Sequence, residues 1–344
     1  MEESFWFVNP ARAEAKALSA ELGIPFEIAQ VLANRKICNP EKAHKFLYGT
    51  LNDLHNPYLM SGMKDAVERI GKSILRREKI LVFGDYDADG VLSVVMLHKA
   101  LETLGADVDY YIPDRLKEGY GIKQEHAEVI TKKGAGLVIS VDCGIKADKF
   151  VKKAKGMGVD VIITDHHRPG TQLPEALAIL NPVLESSGYP DRNLAGVGVA
   201  FKLIQALFEK EGKLSALPHY LKLVAIGTIV DVAVLQDENR ILAKYGLQSF
   251  ERVTNLGLKS LIEVSGLKEK RISEGDIGFR IGPRINAAGR MGMTDLAVRL
   301  FFSNSLQEST EISRRLDELN SKRQAEEEKI CNQALKTIQE KALA

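Results

Sequence analysis

Three short β-branched runs in this sequence each end in residues that bind hard or borderline metal ions. Lys79–Gly90 reads Lys-Ile-Leu-Val-Phe-Gly-Asp-Tyr-Asp-Ala-Asp-Gly, Leu137–Gly144 reads Leu-Val-Ile-Ser-Val-Asp-Cys-Gly, and Val159–His167 reads Val-Asp-Val-Ile-Ile-Thr-Asp-His-His. In a parallel sheet such residues gather at the carboxyl edge of neighbouring strands, where open α/β proteins bind their ligands. Asp85, Asp87, Asp89, Asp142, Asp165, His166 and His167 are therefore expected in one small pocket. Like charges crowded in this way need cations to hold them, so the pattern predicts a two-metal hydrolase site.

In an extended segment, alternation points Asp85, Asp87 and Asp89 to one side, and a turn at Gly90 is expected to open the following helix. Hard divalent cations prefer carboxylate oxygen, and an added imidazole shifts preference from Mg²⁺ towards Mn²⁺. Two such ions about 3.5–4 Å apart can activate a water and stabilise a leaving oxygen in phosphoester cleavage. A calcium loop also begins Asp-x-Asp-x-Asp-Gly, but it requires Glu at its twelfth position, and Met96 stands there.

The elements that must position these residues are legible in the hydrophobic rhythm. Strands are expected near 80–84, 107–112, 137–141, 160–164 and 178–180, with helices near 90–104, 123–133 and 146–156 between them. This alternation predicts an α/β fold with a parallel, doubly wound sheet. Before it, helical signals up to about residue 60 (Asn9-Pro10 to Leu22, Pro25 to Asn34, and from Asn39-Pro40) suggest an N-terminal helical cap, and 64–78 reads as a basic amphipathic helix. After Asn181-Pro182 the stretches 197–211, 216–232 and 240–265 read as a helical subdomain. Leu306–Ala344 holds no Gly or Pro and only a thin apolar stripe, the pattern of a long helix bridging two domains. The expected division is a cap over 1–60, a catalytic domain over 61–300 and a connecting helix over 301–344.

Composition narrows the class. The 344 residues carry 45% hydrophobic and 27% charged residues with a formal net charge of +1, so any nucleic-acid surface must be a local basic groove on a balanced molecule. Cys38, Cys143 and Cys331 lie far apart without a CxxC pair, which argues against a disulfide framework and for a reducing cytoplasm. No apolar run approaches the roughly 18–20 residues of a membrane helix, and the acidic, aromatic amino end is unlike a secretory signal. No Walker A motif is present, which removes an ATP-driven motor from consideration.

Asp-Tyr-Asp-Ala-Asp-Gly, Val-Asp-Cys-Gly and Asp-His-His, in this order, resemble the first three motifs of the DHH phosphoesterase superfamily. Asp231, in Ile226-Gly-Thr-Ile-Val-Asp-Val-Ala-Val-Leu235, matches the fourth. Ile112-Pro-Asp-Arg-Leu-Lys-Glu-Gly-Tyr-Gly121 and Phe279-Arg-Ile-Gly-Pro-Arg-Ile-Asn-Ala-Ala-Gly-Arg-Met-Gly292 narrow the resemblance to the RecJ family of single-strand-specific 5′→3′ DNA exonucleases. The resemblance runs from about residue 40 to the end. It implies a Mn²⁺- or Mg²⁺-dependent nuclease of DNA repair and recombination that releases mononucleotides.

Carried over residue by residue, the resemblance makes Asp85, Asp87, Asp89, Asp142, His166, His167 and Asp231 metal ligands. It places His167, Asp165 and Asp142 at the catalytic centre, with Asp165 orienting a neighbouring histidine. Arg115 and Tyr120 would meet the DNA backbone, and Arg280, Arg284, Asn286 and Arg290 would hold phosphates, which suit guanidinium geometry. Residues 268–299 hold seven Lys/Arg against four acids, a scatter that alone is an ordinary solvated face. There, Gly282, Gly289 and Gly292 would let a phosphodiester approach the backbone. Gly196-Val-Gly198 reads as tight packing, and Cys143 as a packed residue without a base.

The resemblance also implies a second, DHH-associated domain beyond the long helix, and usually an oligonucleotide-binding fold. The sequence ends at Ala344 without them, so the catalytic half is expected alone. Expected partners are single-stranded DNA, a helicase and a single-strand-binding protein, with no membrane and a monomeric chain. Two further classes stay open: a phosphodiesterase of the same superfamily acting on short oligonucleotides, cyclic dinucleotides or pyrophosphate, and an inactive binding or scaffold fragment.

Overall fold

In a computed structural model, which describes Pro10 and residues 12–340, the five expected strands form one parallel sheet. They are β1 (Ile80–Gly84), β2 (Val108–Tyr111), β3 (Leu137–Val141), β4 (Asp160–Thr164) and β5 (Ala178–Leu180), in the order β2-β1-β3-β4-β5. β1 and β3 pair in register from Ile80 opposite Leu137 to Gly84 opposite Val141. Their carboxyl ends therefore lie side by side. The strand order reverses direction between these two strands, which is where open α/β sheets form a ligand crevice.

Both faces of the sheet are covered, as continuous apolar strands require. On one face, Ile80, Val82, Leu137, Ile139 and Ile162 pack beneath α4 (Met63–Arg76), α5 (Ala88–Thr103) and α9 (Gly196–Lys210). On the other, Leu81, Phe83, Val138, Val161 and Ile163 meet Ala127 and Ile130 of α7 (Ala127–Lys133) and Phe150 and Ala154 of α8 (Asp148–Gly156). Helix α5 is apolar on nearly every side, the signature of a helix sunk into the core. A four-residue helix, α6 (Arg115–Glu118), follows β2.

The cap is built from α1 (Ala13–Leu22), α2 (Phe26–Asn34) and α3 (Pro40–Tyr48), which share a small core of Leu18, Ala29, Leu32 and Ala43. The expected start at Asn9 lies outside the described residues. Asn39 caps α3 by accepting the Lys42 N–H at 2.9 Å.

The helical part differs from the sequence expectation in two places. Leu214–Tyr220 is a 3₁₀ turn rather than α-helix, because Pro218 inside it lacks an N–H, and α10 runs only from Leu221 to Val230. The 240–265 stretch is two helices, α11 (Asp237–Gln248) and α12 (Leu256–Val264). Asn255 separates them by capping the Leu258 N–H at 2.8 Å. Beyond them lie α13 (Glu274–Asp276), a π-helical turn at Ile277–Ile281, α14 (Gly282–Arg290), α15 (Thr294–Phe302) and α16 (Leu306–Glu340). The first turns of α16 bury Ile312, Leu316 and Leu319 in the main core. Among the described residues no helix is long and apolar enough to cross a membrane.

Candidate metal centre

The turn after β1 is not the extended ladder expected. The helix opens at Ala88, two residues before Gly90, because Asp87 is an effective N-cap whose Oδ1 accepts the Gly90 N–H at 3.0 Å. Asp89 then lies in the first helical turn and projects towards the start of α9. There its two oxygens accept the N–H groups of Gly196 and Val197, both at 2.7 Å. Gly90 is needed for close packing, since a Cβ would lie 2.5 Å from Asp85 O. The Gly196-Val-Gly198 segment is therefore more than packing: it presents a helix N-terminus to a buried carboxylate.

Asp142 leaves β3 in the left-handed region (φ +57°), an unusual conformation that its N–H fixes by donating to Thr164 O at 2.9 Å. The turn aims its buried carboxylate along the sheet edge towards α9, where a Cβ at Gly196 would stand 2.5 Å from Asp142 Oδ1. Cys143 turns the other way, packs against the far face of the sheet, and burial pushes its thiol well above the usual range.

After β4, Asp165 organises its own turn. Its Oδ1 accepts the His166 and His167 N–H groups at 2.8 and 3.0 Å and lies 2.7 Å from His167 Nδ1, while Oδ2 accepts the Ile145 N–H at 2.9 Å. The neighbouring His166 points inward, with Nε2 at 3.1 Å from Asp142 Oδ1, 3.8 Å from Asp89 Oδ2 and 3.9 Å from Asp231 Oδ2. Asp231 arrives from the carboxyl end of α10, and Val232 after it is again left-handed (φ +59°).

Three donor sets result, each with its ligand atoms within 4.8 Å of one another: Asp85, Asp87 and Asp142; Asp89, His166 and Asp231; and Asp142, His166 and His167. Asp142 and His166 each belong to two of them. Asp85 Oδ1 and Asp142 Oδ1 are buried without a hydrogen-bond donor, a state that a coordinated cation would relieve.

The titration behaviour shows the same strain. Burial, then the charge of Asp87, raises Asp85 to about 7; burial and Asp87 likewise raise Asp231 to about 6. Burial, then Asp231, raises Asp89, and burial, then Asp89, raises Asp142. Burial and the adjacent His167 lower His166 to about 4, leaving it neutral and able to coordinate, whereas the hydrogen bond to Asp165 raises His167. Oxygen donors with one or two imidazoles suit hard or borderline divalent cations.

Above the acids lies a cavity of about 290 Å³ with an acidic floor (Asp85, Asp87, Asp89, Asp231) and a rim of His167, Arg115, Tyr120, Asn286 and Arg290. Arg115 stacks its guanidinium on the Tyr86 ring at 4.9 Å, and Tyr120 Oη is 3.5 Å from His167 Nε2. Asn286 Oδ1 accepts the Ala88 N–H at 2.8 Å, pinning α14 to the acid turn.

Arg280 and Arg284 do not line this cavity. Arg284 is engaged by Asp317 of α16, at 2.9 Å through Nε and 2.7 Å through Nη2, and Arg280 lies 3.6 Å from Asp276. Two glycines of this segment serve helix packing rather than phosphate approach. A Cβ at Gly289 would overlap Tyr86 O, and one at Gly282 would overlap Val230. Tyr86 and the Gly196–Val197 amides had no readable signal, because their roles depend on partners distant in sequence.

Residues 79–228 match the DHH family, N-terminal domain. The chain is 44% identical over 337 residues to the single-stranded-DNA-specific exonuclease RecJ of Bacillus subtilis, covering 97% of this chain and 42% of that protein. It superposes with TM-score 0.74 and 37% identity on a crystal structure of exonuclease RecJ bound to manganese, covering 81% of this chain and 70% of that one. This chain belongs to the RecJ family. A Mn²⁺ complex of RecJ from Thermus thermophilus is also similar, with TM-score 0.79 and 33% identity over 93% of this chain and 46% of that one. The chain spans about half the length of the curated RecJ relatives it matches.

Proposed function

We propose that this chain is the catalytic part of a metal-dependent exonuclease that hydrolyses single-stranded DNA from its 5′ end to mononucleotides. The observation that carries the reading is the pair of buried, donorless carboxylate oxygens on Asp85 and Asp142 beneath a cavity rimmed by arginine. The RecJ relatives are named single-stranded-DNA-specific exonucleases, and solved RecJ structures hold Mn²⁺ or Mg²⁺.

In this reading Asp85, Asp87, Asp89, Asp142, His166 and Asp231 would hold Mn²⁺ or Mg²⁺, and His167, whose Nδ1 is engaged by Asp165, is left for the substrate. The bound metal would supply an activated water and charge stabilisation at the phosphate. Asp165 fixes the tautomer of His167 and turns its Nε2 to the cavity, where it meets the scissile phosphate or its water. Arg115 and Arg290 hold phosphate oxygens, and the ring of Tyr86 limits the swing of Arg115. The proposed division is a cap to residue 60, a catalytic domain over 61–300 and a connecting helix beyond.

The test is degradation of a 5′-phosphorylated single-stranded oligonucleotide in Mn²⁺, with Asp142→Asn in parallel. Mononucleotides released from the 5′ end by the wild type alone support the reading. An uncut oligonucleotide alongside cleaved dinucleotides would replace it with a small-substrate phosphodiesterase.

A further inference from the structure

The arginine and tyrosine on the cavity rim sit on one short loop, residues 114–121, whose fixing lies behind it. Tyr120 is flanked by Gly119 (φ +77°) and Gly121 (φ +78°), so the backbone there supplies little restraint of its own. Glu118, at the end of α6, faces away from the cavity into a separate groove. Its Oε1 accepts the Asp114 N–H at 2.7 Å, closing the loop on itself. Its Oε2 accepts the Tyr111 hydroxyl at 2.8 Å and lies 2.9 Å from His126 Nε2. His126 Nδ1 accepts the Lys123 N–H at 3.0 Å, so the proton of the neutral ring resides on Nε2 and points at Glu118. Tyr111 and His126 are themselves held by Phe83 of β1, with ring centroids 5.4 Å from each. One carboxylate thus connects the loop to the strand that carries Asp85.

We infer that Glu118, with Tyr111 and His126, is a positioning residue for substrate recognition: it sets the loop so that Arg115 and Tyr120 overhang the acid cluster. The inference rests on the nuclease reading above for what the loop recognises, but not for how the loop is held. The groove behind the loop leaves Glu118 no contact with the cavity, so it acts through Arg115 and Tyr120. A carboxylate is required because donors meet both oxygens, the Asp114 N–H at Oε1 and the Tyr111 hydroxyl and His126 Nε2 at Oε2. An amide turned either way sets its nitrogen against a donor.

The experiment compares wild type with Glu118→Gln, Tyr111→Phe, Arg115→Ala and the double variant E118Q/R115A. Tyr111→Phe is the gentler change, removing one hydroxyl while the ring stays on Phe83. Hydrogen exchange reads the loop, and Mn²⁺-dependent cleavage of a 5′-phosphorylated oligonucleotide reads recognition. Glu118→Gln is expected to speed exchange in 114–123 while β1 and β3 stay protected. It should raise KM about tenfold and leave kcat within about twofold. Tyr111→Phe should move both readouts the same way by less. The double variant should fall short of the two single effects combined, because Glu118 acts partly through Arg115, which is already gone, and partly through Tyr120.

Unchanged exchange in Glu118→Gln would overturn the inference. So would a loosened loop with unaltered KM, a loss confined to kcat, or additive effects in the double variant. If the wild type leaves the oligonucleotide uncut, the nuclease reading fails instead, and the exchange arm still decides whether Glu118 holds the loop.

Discussion

Gly196 donates its backbone N–H to Asp89 Oδ2 at 2.7 Å, across 107 residues of sequence. With the Val197 N–H on the other oxygen, the amino end of α9 holds one of the deepest acids in the site and offsets part of its charge. The same glycine leaves room for Asp142, so a carboxylate from the first turn of α5 and one from the turn after β3 meet one helix end.

Gly196→Ala is therefore expected to weaken metal binding more than it weakens the fold. Its Cβ would stand 2.5 Å from Asp142 Oδ1, and relief requires the carboxylate to move. Overpacking of this kind costs about 1–3 kcal/mol of stability. Calorimetric titration with Mn²⁺, beside a urea melt, checks this; unchanged Mn²⁺ affinity would refute it.

Asp142→Asn should split stability from metal binding. Without metal the variant loses a repelling buried charge, so in EDTA it should melt above the wild type. Mn²⁺ at about a hundred times its Kd should add about 2.7 kcal/mol to the wild type and much less to the variant. Thermal melts in EDTA and in Mn²⁺ give both comparisons, and an equal Mn²⁺ shift in the two proteins would contradict the prediction.

The two arginines of α14 should behave differently. Arg290 rims the cavity and makes only an exposed 3.4 Å pair with Glu327, whereas Arg284 is bound to Asp317 at 2.7 and 2.9 Å. Arg290→Ala is expected to raise KM for an oligonucleotide with little change in melting temperature. Arg284→Ala should lower the melting temperature by releasing α16 and leave a smaller mark on KM. The reverse pattern in steady-state kinetics and melts would show that Arg284 is the phosphate ligand.

An acid-sensitive clasp joins the cap to α11. Burial raises the carboxyl of Asp237, but hydrogen bonds from His55 and Lys45 outweigh it and hold it at about 2, below its ordinary 3.8. A carboxylate depressed in the folded state contributes stability above the unfolded value that is lost as pH falls through the folded one. The window is therefore about pH 4 down to pH 2. In urea melts Asp237→Asn should be less stable than wild type at pH 5, with the gap closing towards pH 2. Asparagine tolerates the positive φ of +43° at this position, so a gap independent of pH would assign the loss to packing instead.

The sheet was legible because Ile80–Phe83, Leu137–Ile139 and Val161–Ile163 are uninterrupted apolar runs that only a strand covered on both faces uses well. Asp85, Asp87, Asp89, Asp142 and Asp165 were legible for the same reason, since they follow strands, whereas Asp231, at the end of α10, was legible only through its motif. Their local geometry was not. Aspartate fits an extended chain and a helix cap alike, and the choice at Asp87 is made by the Gly90 N–H. The arginines of 280–290 show the limit from the other side. Composition gives their charge, but Asp317, on a helix that packs back from further along the chain, decides that Arg284 is tied down while Arg290 reaches the cavity rim. Glu118 carried no signal of its own, because its partners Tyr111 and His126 belong to flanking elements.

The left-handed turn at Asp142 and the helix end at Gly196 also set an order for synthesis on the ribosome. The acids leave the exit tunnel as Asp85, Asp87 and Asp89, then Asp142, and last Asp231, with the Gly196 and Val197 amides emerging just before it. A nascent chain can therefore pair its first four strands while their carboxylates still face water, and it acquires its internal counter-dipole only when α9 is released. The donor set is complete only once Asp231 has emerged, so a chain stalled before α10 would hold the five strands of the sheet with an open site.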